Sequence, residues 1–336
     1  MAIVTLTEME PGREADVFVL LSSKEELTAK NGKPYWRVVF RDAGRELSFP
    51  IWGDSPWAAE CRDQWTAGEF YKVRGILRET PFGPQLEIRK IRPVEPGDRA
   101  DGFDPLMCRR RSRFDPETMF AELRQLVETE IQPDALRRLV ETLLTENRAS
   151  WLIWPAARRN HHAFVGGLLE HTLSVARTCA VLADKYRAYY PDMQPPLEKG
   201  LAVAGGVLHD IGKFREIGDG PDAAHTPAGA LVGHIIQGRD MVREAAQRCP
   251  LPGDMLLRLE HIILSHQRLP EWGSPKPPMT PEALIVHYAD DLDAKFAMMA
   301  DILADDPGNG PVTSKKNVLM QPVYRGLPES RGDGGG

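Results

Sequence analysis

The sequence predicts two domains, a small all-β barrel followed by an all-α domain. Up to about Pro96, apolar and polar residues alternate as in β-strands, whereas from Asp115 onward apolar residues recur every three and four positions, as in helices. Residues 97–114 lie between the two patterns and combine prolines and glycines with the basic run Arg109–Arg111, which indicates a linker. A chain of 336 residues is long enough for both domains.

Five strands are predicted in residues 1–96, because five segments rich in β-branched and aromatic residues are separated by turn signals such as Asn31-Gly32. The segments are Ala15–Leu21, Tyr35–Asp42, Arg45–Trp52, Glu69–Thr80 and Gln85–Val94. A short helix near Ser55–Trp65 falls between the third and fourth strands. A helix at this place in a five-stranded chain is the arrangement of an OB-type barrel.

The solvent faces of these strands indicate a surface for single-stranded nucleic acid. Tyr35 and Trp52 are candidates for stacking on bases, and Arg74 is a candidate for contacting the backbone. The alternative is that Trp52 belongs to the core and that the basic strand face is merely solvated. The net charge of -6 excludes a global basic field, so any binding depends on a local surface.

The second domain, residues 115–305, is predicted to be helical. Asp115-Pro116 has the pattern of an N-cap followed by proline at the first helical position. Further helices are predicted over Asp134–Glu146, Gly167–Tyr186, Leu197–Phe214, Ala228–Arg248, Gly253–Leu264 and Pro281–Leu303. Residues 306–336 are expected to form a weakly ordered tail.

The bulk composition excludes several classes of protein. The four cysteines lie far apart, without the paired spacing of a thiolate zinc site or a disulfide framework. No apolar run is as long as a membrane span, and Met1–Pro11 lacks the features of a signal peptide. We therefore expect a cytoplasmic protein with no membrane partner.

The histidines mark the candidate site, because all nine fall between His161 and His287. The pair His209-Asp210 closes an apolar helix, where adjacent side chains diverge by about 100°. A carboxylate that bridges two metal ions, beside an imidazole that binds one of them, accounts for such a pair. A capping aspartate beside a surface histidine is the alternative for this dipeptide alone.

Four further candidate ligands lie on separate predicted helices: His171, His234, His266 and Asp290. A single histidine on an apolar helix is more often a core residue than a ligand. Ligands presented by several packed helices are, however, how helical folds build imidazole and carboxylate metal sites. The order of the set therefore predicts the site better than any one member does.

The order of His171, His209-Asp210 and Asp290 resembles the HD phosphohydrolase superfamily, and the resemblance extends from about Asp115 to Leu303. It implies an HD domain that hydrolyses phosphate esters with divalent metal ions. Histidines between the His-Asp pair and the last aspartate mark members with two metals, and His234 and His266 fit those places. The resemblance therefore implies a dinuclear site.

A closer likeness covers nearly the whole chain. The segments His161–Thr172 and Gly273–Lys295 are similar to the YhaM-type 3′→5′ exoribonucleases, which also join an OB fold to an HD domain. The likeness implies an exonuclease that acts on single-stranded RNA, or DNA, and releases nucleoside monophosphates. This sequence departs at Gln267, where that family typically has a second histidine, and we expect the change to affect substrate handling more than metal binding.

The resemblance also implies roles for the site residues. One ion would be held by His171, His209, Asp210 and Asp290, and Asp210 would bridge to a second ion held by His234 and His266. The two ions would share a water, lower its pKa and present hydroxide to the phosphorus. Lys213 would neutralise charge on the phosphoryl oxygens, or would simply be a solvated lysine. Manganese is the first choice by resemblance, with iron or zinc as alternatives.

Other residues are secondary candidates. His261 ranks behind His266 because five residues separate them, about 140° around a helix. His287 lies three residues before Asp290 and is a candidate for orienting a metal ligand, or for a packed core histidine. Candidates for contacting substrate phosphates are Arg158, Arg159, His161 and His162.

Three relatives or functions compete with the exonuclease. HD-type cyclic-dinucleotide phosphodiesterases with three metals are disfavoured, because the positions of their extra carboxylate and histidine are Gly167 and Gln267 here. A phosphohydrolase of small nucleotides is the second enzymatic alternative. A single-strand-binding regulatory protein with a vestigial HD site is the third, and the apparently complete ligand set argues against it.

Overall fold

The protein was analysed as a computed structural model, which describes residues 3–29, 32–81, 83–157, 162–218, 224–306 and 308–327. The described residues divide into two compact units, of which the first ends at Arg111 and the second begins at Ser112.

The first unit is an antiparallel sheet that curls into a barrel. Its described strands are β1 (Ile3–Val4), β2 (Glu14–Thr28), β3 (Pro34–Arg41), β4 (Glu46–Trp52), β5 (Phe70–Thr80) and β6 (Gly83–Pro93). The strand order is β4-β3-β2-β5-β6, with β1 parallel to β2, and the edge strands β4 and β6 lie against each other. Helix α1 (Ala58–Asp63) connects β4 to β5. The predicted OB-like barrel is therefore confirmed.

The barrel interior follows from the alternation of the strands. Leu47, Phe49 and Ile51 of β4 are buried, and Val38 and Phe40 of β3 join them in one apolar core. Strand β2 continues to Thr28, seven residues beyond its predicted end at Leu21, because its polar second half pairs with β3 on a face open to solvent. That half lacks the apolar alternation from which strands are recognised.

The segment after β6, predicted as a linker over 97–114, packs on the first unit as far as Arg111. It contains two 3-10 helices, Pro96–Arg99 and Pro105–Cys108. Phe103 and Cys108 are buried against Phe18 and Leu20 of β2. The prolines and glycines that resemble linker composition form tight turns here, and the apolar side chains between them anchor the segment.

The second unit is helical, as predicted. Its described helices are α2 (Pro116–Glu130), α3 (Asp134–Glu146), α4 (Arg148–Ile153), α5 (Gly167–Tyr189), α6 (Lys199–Leu208), α7 (Lys213–Glu216), α8 (Pro227–Ala246), α9 (Gly253–Ser265) and α10 (Pro281–Asp305). Their apolar faces form one core. Across the described part of the chain, each helix falls short of the length and apolarity that crossing a membrane requires.

Two breaks in the helices shape the site. The predicted helix Leu197–Phe214 divides into α6 and α7, and between them Gly212 lies so close to α8 that an added Cβ would be 1.9 Å from the His234 carbonyl oxygen. Helix α8 is itself kinked at Gly233, which has φ 76° and ψ 161°. This conformation is open essentially to glycine alone.

The tail, predicted to be weakly ordered from residue 306, is held by hydrogen bonds in its described part. The Asp306 carboxylate accepts hydrogen bonds from the backbone N–H groups of Gly308 and Ser314 and from the Arg325 guanidinium. Thr313 donates from its backbone to the Val323 carbonyl oxygen at 2.9 Å. These contacts close a compact loop after α10.

Candidate metal centre

Six predicted ligands converge in the second unit from five places in the chain. His171 lies in the second turn of α5, His209 caps α6 and Asp210 follows it, His234 follows the kink of α8, His266 caps α9, and Asp290 lies in the middle of α10. The structure therefore brings together all the side chains that the sequence analysis selected as metal ligands.

Four of these residues form the first group of donor atoms. His171 Nε2 lies 3.2 Å from His209 Nε2 and 3.2 Å from Asp290 Oδ1. Asp210 Oδ2 lies 3.7 Å from His171 Nε2 and 3.5 Å from His209 Nε2. Because both histidines are fully buried, these atoms face one another in a space of low polarisability.

The other oxygen of Asp210 faces a second group. Asp210 Oδ1 lies 3.4 Å from His234 Nε2 and 3.6 Å from His266 Nε2. One carboxylate therefore presents each of its oxygens to a different group of imidazole nitrogens. This is the arrangement in which a carboxylate can bridge two cations.

Hydrogen bonds at the far side of each ring fix which nitrogen faces the centre. His209 Nδ1 donates to the Gly206 carbonyl oxygen at 2.8 Å, and His266 Nδ1 donates to the Ile263 carbonyl oxygen at 2.7 Å. A carbonyl oxygen only accepts, so Nδ1 carries the hydrogen in both rings. The Nε2 lone pairs of His209 and His266 are therefore directed to the centre in the neutral rings.

Carboxylates fix the remaining two rings in the same way. Asp293 accepts from His171 Nδ1 at 2.7 Å, and Glu216 accepts from both the backbone N–H and Nδ1 of His234, each at 3.0 Å. A carboxylate behind a metal-binding histidine orients the ring and raises its basicity. The sequence analysis assigned no role to Asp293 or Glu216.

The donor atoms fit divalent cations. Among the residues that the structure describes, neither Asp210 Oδ1 nor His266 Nε2 has a hydrogen-bond partner, although both atoms are buried. Leaving a buried polar atom unsatisfied costs about 1–3 kcal/mol. A cation between the two acceptors would remove that cost, and mixed imidazole and carboxylate donors suit manganese, iron or zinc.

The charges of the centre also favour a cation. Burial by itself lowers the pKa of His171, but hydrogen bonds to Asp290 and Asp293 outweigh burial and raise it to about 9. Burial raises the pKa of Asp290, but His171 and His209 outweigh it, so that this carboxyl stays ionised. The carboxylates therefore stabilise a positive charge at His171, and the same carboxylates would stabilise a metal cation.

Lys213 lies at the Asp210 carboxylate rather than in solvent. Its Nζ is 2.5 Å from Asp210 Oδ2, and its side chain is buried. Burial raises the pKa of Asp210, but Lys213 and His209 outweigh it and lower that pKa well below its ordinary value. The Lys213 ammonium therefore stabilises the ionised form of Asp210.

Asp293 organises a small network behind the first group. It accepts hydrogen bonds from His171, from His162 Nε2 at 3.0 Å and from Ser174 Oγ at 2.5 Å. His162, predicted to contact substrate, is buried and has φ 52°, and this contact directs its ring toward Asp293. The signal for Asp293 in the sequence was its position three residues after Asp290, on the same face of α10.

Other secondary candidates lie around the centre or away from it. His261 Nε2 accepts a hydrogen bond from the Met279 backbone N–H, outside both groups. His287 Nδ1 donates to the His266 carbonyl oxygen, so it supports the backbone of a candidate ligand and not its ring. The predicted phosphate contacts Arg158, Arg159 and His161 lie outside the described residues.

In the first unit, the predicted aromatic pair lies on the surface. Tyr35 of β3 is directly opposite Trp52 of β4, their ring centroids are 5.0 Å apart, and Trp52 is 49% exposed. Trp52 is therefore not a core residue. Arg74, in contrast, makes a bidentate ion pair with Asp16, its cross-strand neighbour, at 2.7 and 2.9 Å. The structure does not bring Arg74 to the aromatic pair, because Tyr35 pairs with β2 at Leu27, eleven residues further along that strand.

Comparisons with known proteins match each unit separately. Two solved structures are similar over 28% of this chain, and both come from replication protein A of Methanococcus maripaludis. The solution structure of its second OB-fold domain is 15% identical, with 95% of that chain covered and a TM-score of 0.22. The crystal structure of a domain of the same protein is 12% identical, with 96% covered and a TM-score of 0.22. The OB-like description of the first unit rests on its own strand order.

The family model described as HD domain matches residues 168–295. The match spans all six of the converging residues, which are His171, His209, Asp210, His234, His266 and Asp290. The second unit of this chain therefore contains an HD domain, the domain of a superfamily of metal-dependent phosphohydrolases.

Proposed function

We propose that this protein is a metal-dependent 3′→5′ exonuclease that shortens single-stranded RNA, or DNA, and releases nucleoside monophosphates. The observation that carries the proposal is the position of Asp210, whose two oxygens face two separate groups of histidine nitrogens. The polarity and the product are proposed from the likeness to the YhaM-type exoribonucleases.

Two bound cations, manganese as the first choice, would supply an activated water and neutralise charge on the phosphate. The protein supplies their holders: His171, His209 and Asp290 for one, His234 and His266 for the other, and Asp210 for both. Asp293 and Glu216 orient the rings of His171 and His234 by accepting hydrogen bonds from their Nδ1 atoms. Lys213 Nζ, which lies beside the Asp210 carboxylate, would donate to a phosphoryl oxygen.

The first unit supports a strand-shaped substrate. Tyr35 and Trp52 present two neighbouring rings on the outward face of β3 and β4, which is the face that OB folds use for oligonucleotides. Arg37 lies on the same face, two residues after Tyr35, and is ion-paired with Glu25 at 2.5 Å. Stacking on such rings tolerates any base, as an exonuclease that degrades strands of any sequence requires.

The test uses one oligonucleotide with a label at the 5′ end in one sample and at the 3′ end in another, each incubated with manganese. We expect a descending ladder from the 5′ label and immediate release of labelled mononucleotide from the 3′ label. Asp210→Asn should abolish both signals. A ladder from the 3′ label would reverse the polarity, and matched RNA and DNA oligonucleotides would measure the sugar preference.

The same assay separates the alternatives. Cleavage of a generic phosphodiester such as bis-p-nitrophenyl phosphate, with intact oligonucleotides, would favour a phosphohydrolase of small nucleotides. Oligonucleotide binding without bound metal and without cleavage would favour a single-strand-binding protein with a vestigial HD site.

A further inference from the structure

The side chain of Gln267 lies at the edge of the second group of donors. Its Nε2 atom is 3.3 Å from His234 Nε2, and the residue is half-buried. The backbone N–H of Gln267 donates to Ser274 Oγ at 3.0 Å, and Ser274 is fully buried. These contacts hold the Gln267 carboxamide beside His234, and Gln267 directly follows His266 in the chain. We call the second group of donors, which consists of Asp210 Oδ1, His234 Nε2 and His266 Nε2, the second half-site.

The position of the hydrogen on the His234 ring determines whether the Gln267 carboxamide donates or accepts a hydrogen bond. Glu216 accepts the hydrogen on His234 Nδ1, so the Nε2 lone pair faces Asp210 Oδ1. The Gln267 amino group donates to that lone pair at 3.3 Å. Asp210 Oδ1 and His266 Nε2 remain without a donor among the described residues. The half-site thus holds three acceptors and one amide that satisfies only one of them.

A cation in this half-site would reverse which end of the Gln267 carboxamide, the amino group or the oxygen, faces the imidazole nitrogens. An amino group presents positive hydrogens to its surroundings, so it is repelled by a cation on the same lone pairs. The two ends of a carboxamide have nearly the same size and shape, and rotation by about 180° about the last side-chain bond exchanges them. That rotation replaces the amino group with Oε1, a ligand atom that manganese accepts.

We propose that Gln267 is a ligand of the second metal ion through its Oε1 atom. The ligands of that ion are then Asp210 Oδ1, His234 Nε2, His266 Nε2 and Gln267 Oε1. Only Asp210 brings a formal charge, and it shares that charge with Lys213 at 2.5 Å. The second ion is therefore bound more weakly than the first, and a neutral oxygen ligand shifts the half-site toward manganese or magnesium and away from zinc. The inference rests on the proposed function only for the presence of two divalent ions.

The opposite role for the same contact is that Gln267 keeps donating to His234 and excludes a second ion. The two roles make opposite predictions for Gln267→Leu, which removes both the donor and the oxygen and keeps a side chain of similar size. Loss of a ligand would weaken the binding of the second ion, whereas loss of a competing hydrogen-bond donor would strengthen that binding.

The experiment is a titration of metal-stripped protein with Mn²⁺, followed by calorimetry and by the electron paramagnetic resonance signal of free Mn²⁺. We expect two sites in the wild type. Gln267→Leu should keep the first site within about twofold and weaken the second at least about tenfold, as the loss of a metal-site group does. Gln267→Glu, which keeps the oxygen and adds a charge, should tighten the second site. Gln247→Leu, the same change at an exposed position of the same unit, should change neither site.

Each further outcome decides the inference. An unchanged or tighter second site in Gln267→Leu would overturn it, since Gln267 would then be a bystander or a competitor. A single Mn²⁺ in the wild type would also overturn it and would leave the first group of the proposed function standing. Protein that binds no Mn²⁺ at all would overturn the proposed function together with the inference. Thermal melting of each variant checks that the fold is retained.

Discussion

Single residues behind the centre decide how its donor atoms point. In each of the four candidate histidines the Nδ1 atom is occupied by an acceptor outside the cluster, and the Nε2 atom faces inward. Two of these acceptors are backbone carbonyls, which substitution does not remove. The other two are the carboxylates of Asp293 and Glu216, so these are the positions at which ring orientation can be tested.

Asp293→Asn should lower the affinity for the first metal ion about 10- to 100-fold, because the carboxylate that orients the His171 ring loses its charge. The second ion should change by less than about threefold. Calorimetric Mn²⁺ titration measures both, and Asp291→Asn is the matched control, since Asp291 is two residues away and pairs with Lys295 at the surface. Equal losses in the two variants would mean that Asp293 acts only through general charge.

Trp52→Ala should weaken the binding of a single-stranded oligonucleotide by roughly tenfold, because one base–aromatic stack contributes about 1–3 kcal/mol. Trp52→Phe retains a ring and should restore most of the affinity. Fluorescence anisotropy with a labelled oligonucleotide measures the difference in the absence of divalent metal, so that cleavage does not interfere. Unchanged affinity in Trp52→Ala would remove the Tyr35–Trp52 face from the proposed binding surface.

The sequence indicated which side chains converge in the second unit, and it gave no signal for contacts that depend on the pairing of two strands. The ligand candidates were selected from the order of histidines and aspartates on separate predicted helices. The partner of Arg74 was not found, because Asp16 is 58 residues away and only the antiparallel register of β2 and β5 brings the two together. Glu216 was missed because only the packing of α7 against α8 brings its carboxylate to His234, 18 residues further along the chain.

At the scale of elements, the kink in α8 sets the position of His234. Gly233→Ala should reduce the stability of the second unit by about 1–3 kcal/mol, because alanine is strained at φ 76° and ψ 161°. Space is not the cause, since the nearest atom to an added Cβ is the Glu216 Oε1 atom at 3.9 Å. Relief of that strain would rotate His234, so the second Mn²⁺ should also bind more weakly.

Urea unfolding and Mn²⁺ titration measure the two effects of Gly233→Ala. Gly253→Ala is the control, because Gly253 begins α9 with no atom within 4 Å of an added Cβ. If Gly233→Ala lowered stability and left the second ion unchanged, the kink would serve packing and not the site.

The 3-10 helix Pro96–Arg99 is fastened to the barrel through Asp98. Its carboxylate accepts two hydrogen bonds from Arg92, each at 2.7 Å, and one from the Glu95 backbone N–H at 2.8 Å, and it is ion-paired with Lys72 at 3.3 Å. The Arg92 guanidinium holds the pKa of Asp98 well below its ordinary range, although burial opposes it. Asp98→Asn should therefore destabilise the first unit by about 2 kcal/mol at neutral pH.

The pH dependence of this effect has a definite sign. A carboxyl with a lowered pKa in the folded state stabilises fully above its unfolded pKa, about 3.9, and loses that contribution as the pH falls toward the folded value. The difference in unfolding free energy between wild type and Asp98→Asn should thus be constant from pH 8 to about pH 5 and narrow below about pH 4. Urea unfolding at several pH values measures it, and a difference that grew in acid would contradict the assignment.

Element boundaries show the limit of sequence reasoning at this scale. Strand and helix types followed from periodicity, and the order of elements followed with them. The second half of β2 was hidden by its polar residues, and the packed segment around Phe103 was hidden by prolines and glycines. In both cases tertiary contacts, which no local window contains, decided the outcome.

At the scale of the whole molecule, the chain combines an HD domain with an OB-like unit. Among the described residues, the main buried core of the second unit runs from Met119 to Ala289, and the barrel has its own core. Each unit thus has the interior that independent folding requires. The proposed function assigns chemistry to the second unit and strand binding to the first, so removing the first should separate the two activities.

A chain that begins at Ser112 should hydrolyse bis-p-nitrophenyl phosphate within about threefold of the full chain, because all six candidate ligands lie in the second unit. It should degrade a long oligonucleotide at least about tenfold more slowly at limiting substrate, because the stacking contributions of Tyr35 and Trp52 are lost. Ser112 is retained because its hydroxyl donates to Glu170 at 2.6 Å beside His171. Unimpaired oligonucleotide degradation by this chain, with the small substrate also cleaved, would mean that the second unit binds the strand without help from the barrel.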